Sequence, residues 1–175
     1  MPKLALPSIQ SFAAAMPGLC LALLLAPQAA SAQALGIAGS HSVYGTNPYL
    51  SDGATALMLG NYEKGVELTR EGLKDILTTE ERVTMLSNLC AGYVGLKEFD
   101  TAIVYCNRSL ALDPDNWRAL QNRAAARAGI GQISQALADI ERGLELNPGS
   151  DSLKLTLSIV REMAKREGKP VTNTG

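Results

Sequence analysis

Aromatic residues make up only 5% of this 175-residue sequence, and histidine occurs once, at His41. With so few rings, an apolar core must be built from Leu, Ala, Ile and Val, which suits helix-on-helix packing. A lone histidine completes no metal geometry, and it offers no second titratable group to form an acid–base pair. Charge of one sign is also missing. Sixteen Lys and Arg against seventeen Asp and Glu leave a formal net charge of -1, which removes the broad basic surface that sequence-independent nucleic-acid binding needs. No glycine-rich phosphate loop follows a strand pattern, and the acids are spread over what read as solvated helix faces. No enzymatic activity, cofactor, metal or nucleic-acid partner is therefore expected.

Charge is scarcest at the start. Between Met1 and Glu63 the charged side chains are Lys3 and Asp52 alone. Lys3 precedes an apolar run from Phe12 to Ala26, and Pro27 to Ala34 is a stretch of mostly small residues holding Ala30-Ser31-Ala32 and Ala32-Gln33-Ala34. Positive end, apolar middle and A-x-A site are the parts of a secretory signal peptide, so residues 1–34 are expected to direct export to a periplasmic or secreted location. An uncleaved membrane anchor is the other reading, disfavoured because Pro17 and Gly18 interrupt a run shorter than a spanning helix needs. Cys20 does not fit a lipid-modified cysteine, since Leu19 precedes it and Leu21 to Leu25 continue the apolar run. Residues 35–47 read as a flexible lead-in and residues 168–175 as a loose tail.

What the sequence does have is an internal period. Leu86/Leu120, Asn88/Asn122, Gly95/Gly129, Ala102/Ala136, Leu110/Leu144, Leu112/Leu146 and Pro114/Pro148 are all 34 positions apart, and Leu96/Ile130 and Phe99/Ile133 are conservative matches in the same register. Ala56, Leu59, Tyr62, Gly65 and Leu73 match Tyr93, Leu96, Phe99, Ala102 and Leu110 at an offset of 37, the same period with three residues inserted. The insertion falls near Thr78 to Arg82, where Thr78 and Glu81 have the spacing of a capping box. Apolar residues recur at helical spacing, the small Gly65, Ala102 and Ala136 allow close helix approach, and Pro114 and Pro148 stop helices.

On these residues the sequence resembles the tetratricopeptide-repeat family, whose unit is a helix–turn–helix of this length. The resemblance implies an all-α, right-handed solenoid of about three hairpins over residues 48–167, closed by a C-terminal capping helix in which Leu153, Leu157 and Val160 form the inward stripe. In the third unit, Arg123 and Arg127 stand where the family usually has Leu and Tyr, and Arg123 is expected to pair with Asp139 across its hairpin.

The resemblance also implies a place for a partner. The first helix of each hairpin would line a concave groove floored by Leu50, Ser51, Ala54, Leu57 and Met58, then Thr84, Ser87, Asn88, Ala91 and Val94, then Arg118, Gln121, Asn122, Ala125 and Ala128. Mostly small side chains make that groove open. Asn88 and Asn122 would hydrogen-bond a peptide main chain, a sequence-tolerant mode; an Asn that serves only its own hairpin is the other reading. Family members that grip a C-terminal carboxylate need more cations than this chain supplies. Asn88 and Arg118 fit that pattern, but Asn122, Leu50 and Ala54 do not, so a full carboxylate clamp is not expected.

Cys90 and Cys106 would lie on the two helices of one hairpin. Export permits a disulfide between them, and two small buried thiols are the alternative. For function, two classes stay open. One is a scaffold or adaptor of a bacterial-type cell envelope, binding a protein or peptide in the groove and touching a membrane only if the signal segment is retained. The other is a structural subunit that self-associates through a second apolar stripe, Leu155, Ile159 and Met163, on the last helix.

Overall fold

The computed structural model describes residues 47–166 and Gly168. The expected signal segment, His41, most of the lead-in and the tail after Gly168 lie outside the described residues.

Among the described residues there are seven helices and no strand: α1 (Pro48–Met58), α2 (Tyr62–Gly72), α3 (Thr79–Gly95), α4 (Phe99–Leu112), α5 (Trp117–Gly129), α6 (Ile133–Leu146) and α7 (Asp151–Arg166). Their ends follow from local chemistry. Asn47 accepts a hydrogen bond from the Tyr49 amide at 2.9 Å, and Pro48 takes a first-turn position where its missing N–H costs nothing. Thr78 and Glu81 form the expected capping box: the Glu81 amide donates to Thr78 Oγ1 at 3.2 Å and the Thr78 amide donates to Glu81 Oε2 at 2.9 Å. Pro114 and Pro148 each stand two residues past a helix end, after α4 and α6.

The hairpins α1–α2, α3–α4 and α5–α6 turn through the same backbone device. Gly60, Lys97 and Gly131, spaced as the sequence period predicts, have φ of 78°, 62° and 77°. The left-handed conformation is free for the glycines and costs Lys97 about 1 kcal/mol. A second repeated contact ties each hairpin to the next. The Tyr62 ring lies against Gly95 so closely that any side chain there would strike it, and a Cβ on Gly129 would come within 2.6 Å of the Phe99 ring. Gly65 plays the same part inside the first hairpin, where a Cβ would meet Leu57 at 2.5 Å.

Two apolar clusters fill the array. One gathers Val66, Leu89, Tyr93, Val94, Ala102 and Ala126; the other gathers Ala124, Ile133, Ala136, Ile140, Leu153 and Val160 beneath α7. Each fully buried Leu, Ile or Val side chain contributes roughly 1.5–3 kcal/mol. α7 therefore caps the last hairpin as expected, with Leu153 and Val160 at 0% exposure. Its second stripe does not stay free. Ile159 and Met163 pack partly buried against the two clusters, leaving Leu155, 49% exposed, alone. No helix among the described residues is long and apolar enough to cross a membrane.

Cys90 and Cys106 form a disulfide with Cα atoms 5.2 Å apart, both sulfurs inside the first cluster. Of the two readings open in the sequence, the bridge is the one present. The third hairpin holds the expected ion pair and a member that the sequence did not announce. Arg123 donates to both Asp139 oxygens, at 2.9 and 2.7 Å, and Arg127 donates to Asp139 Oδ2 at 2.7 Å. Arg123 also donates to Asn107 Oδ1 on α4 at 2.7 Å. Asp139 is 5% exposed, so the two arginines in the Leu and Tyr positions are held by one buried carboxylate.

Candidate functional site

The odd-numbered helices α1, α3, α5 and α7 pack on one another in sequence, whereas the even-numbered helices meet chiefly through them. The odd helices thus lie on the tighter, inner side of the array, the side on which the groove is expected.

Most of the predicted floor is sealed. Ser87, Asn88 and Ala91 on α3 and Gln121, Asn122 and Ala125 on α5 are each at most 2% exposed. Leu50, Ala54, Leu57, Val94 and Ala128 are buried as well, while Ser51 and Thr84 are half-buried and Met58 is exposed. The expectation of an open floor is corrected, and the reason lies in the small residues themselves. Alanines that would leave a groove open also let adjacent odd helices close on each other, so the floor becomes the packing seam.

The amides accordingly do structural duty. Asn122 Nδ2 on α5 donates to the Ser87 carbonyl on α3 at 3.3 Å. Gln121 joins α5 to α7, donating to Thr156 Oγ1 at 3.3 Å and accepting from Ser152 Oγ at 3.0 Å. Three polar groups in the seam are unmatched: Ser87 Oγ, both amide atoms of Asn88 and Asn122 Oδ1 have no hydrogen-bond partner among the described residues. A buried orphan of this kind costs about 1–3 kcal/mol.

An open cleft of about 310 Å³ remains on this side, lined by Glu80, Val83, Thr84, Ser87, Asp113, Asn116 and Arg118. α3 contributes Glu80, from its first turn, through Ser87; Asp113 and Asn116 come from the α4–α5 turn, and Arg118 opens α5. Arg118 is half-buried, its guanidinium 4.3 Å from the centre of the Trp117 ring. Asn116 is committed to structure: its Oδ1 caps α5 by accepting from the Ala119 amide at 3.2 Å, and its Nδ2 donates to Ser109 Oγ at 3.2 Å. Of the predicted partner residues, the cleft brings together Ser87 and Arg118, with Thr84 from the wider floor. It does not bring in Asn88, Ala91, Gln121, Asn122 or Ala125. Glu80, Asp113 and Asn116 were missed because each reads in the sequence as a helix-end residue. A larger hollow of about 460 Å³ lies between α2 and α4 on the opposite side, bordered by Tyr105 and Arg108. No group of His, Cys, Asp or Glu among the described residues is placed to hold a metal.

Stacked helix hairpins with a polar cleft on their inner side define a helical-repeat protein. A family model described as tetratricopeptide repeat matches residues 89–165, and the described helices form an all-α tetratricopeptide-repeat fold. Peptidyl-prolyl cis-trans isomerase FKBP4 of Mus musculus is 30% identical over 80 residues, which is 46% of this chain but only 18% of that protein. The first repeat domain of human RPAP3 superposes with a TM-score of 0.58 at 22% identity, covering 81% of this chain and 98% of the other. The first repeat domain of Spaghetti (RPAP3), solved bound to the HSP90 peptide SRMEEVD, superposes with a TM-score of 0.57 at 24% identity over 67% of this chain and 88% of its own.

Proposed function

We propose that this chain is a non-enzymatic protein-interaction module, a scaffold or adaptor exported to a bacterial-type cell envelope, which holds a protein or peptide at the α3–α5 cleft. The observation that carries the reading is the cleft itself. It is the opening on the inner side where Thr84 and Arg118, from consecutive odd helices, remain within reach of a partner. The binding of an HSP90 peptide by Spaghetti, a protein of the same fold, supports a peptide as occupant. An extended segment would offer main-chain groups to the hydroxyl of Thr84, a mode that tolerates varied sequences. Export is supported by the order of Lys3, the apolar run and the small-residue site, and by a buried disulfide, which persists in oxidising compartments.

Photo-crosslinking tests the reading in the native cell. A photoreactive residue at Thr84 is expected to trap a partner, and one at Val104, 56% exposed on α4, is expected to trap none. Adducts from position 104 and not from 84 would move the partner face to the even-numbered helices and end the proposal.

A further inference from the structure

The cleft carries an unusual charge for a face that captures acidic peptide ends. Its ionisable lining residues are Glu80, Asp113 and Arg118, two acids against one base. The base is drawn onto the Trp117 ring. Neither acid is ion-paired among the described residues. Asp113 Oδ1 accepts from the Asp115 amide at 3.1 Å, and no hydrogen bond among the described residues engages its other oxygen. Glu80 sits in the first turn of α3. Ser87 adds an independent sign of a ligand: it lines the same cleft, is 2% exposed, and its hydroxyl has no hydrogen-bond partner among the described residues.

From this we infer that the cleft selects a segment carrying a lysine or arginine side chain, held by Glu80 and Asp113 above the buried Ser87 hydroxyl. The inference rests on the reading of the α3–α5 side as the partner face and adds the chemistry of what enters it. An ammonium or guanidinium has donors only, and the two carboxylates supply acceptors for it. An acidic end such as the EEVD of the peptide bound by Spaghetti would instead bring carboxylates against carboxylates.

Selection of random heptapeptides displayed on phage, using the purified full chain as bait, tests this directly. The recovered peptides are expected to be enriched in Lys and Arg over Asp and Glu, and the synthetic peptide SRMEEVD is expected to bind more weakly than any of them. Glu80→Gln with Asp113→Asn, confirmed as folded by circular dichroism, should weaken a recovered basic peptide about tenfold or more. Added salt should weaken the parent complex and leave the variant's nearly unchanged. Acidic or charge-neutral recovery, or basic peptides that bind the double variant as well as the parent, overturns the inference. Thr84→Trp, which fills the cleft, separates the two levels. If it abolishes binding while the charge variants do not, only the charge selection falls. If it leaves binding intact, or no peptide is recovered, the partner face itself is wrong and the inference falls with it.

Discussion

Asp139 shows how a single side chain decides what two others can be. Arg123 and Arg127 occupy positions that the repeat normally fills with apolar residues, and their side chains are only 18% and 21% exposed. Both are tolerable there because one carboxylate, 5% exposed, receives three hydrogen bonds from them. Removing it strands two half-buried cations side by side. Asp139→Ala is expected to lower stability by about 3 kcal/mol, whereas Arg127→Ala, which leaves the bidentate Arg123 contact in place, should cost about 1–2 kcal/mol. Urea denaturation of the two variants checks the ordering; equal losses would mean that the carboxylate does not serve both arginines.

At the scale of the element, α3 is the centre of the array. It packs against α1, α2, α4 and α5, and every residue from Met85 to Val94 is buried. The Cys90–Cys106 bridge fastens α3 to α4 across a sequence separation of 16 residues. A loop of that length restricts the unfolded chain by about 3 kcal/mol. Cys90→Ser with Cys106→Ser is accordingly expected to reduce unfolding free energy by about that amount while far-UV circular dichroism remains helical, because the repeat contacts of Gly95 and Gly129 hold the hairpins together without it. A variant with an unchanged melting temperature would count against a stapling role.

For the molecule as a whole, the expectation concerns where it works. A chain exported through its first 34 residues should be recovered beginning at Gln33 or Leu35, and N-terminal sequencing of the native product reads this out. A product starting at Met1 or Pro2 would rule out a cleaved signal segment and a soluble mature form beginning at either position. The helical-repeat architecture would be untouched, since it depends on residues 48 to 166 alone.

The sequence by itself determined the period, and with it the fold. Positions 34 apart must have the same environment in a stacked array, so Gly95 and Gly129, Ala102 and Ala136, and Pro114 and Pro148 were legible before any coordinates. The Thr78–Glu81 cap was equally legible, because it involves residues three apart whose geometry the helix fixes. Arg123 with Asp139 was found for the same local reason, as neighbours across one hairpin. What only the tertiary structure decided was exposure. Whether Asn88 and Asn122 face a partner or a neighbouring helix depends on how tightly consecutive hairpins close, a distance summed over many contacts between units and written in no single motif. That closure buried the predicted amides and left the Thr84, Ser87 and Arg118 opening beside Glu80 and Asp113, residues that in the sequence are only the ends of helices.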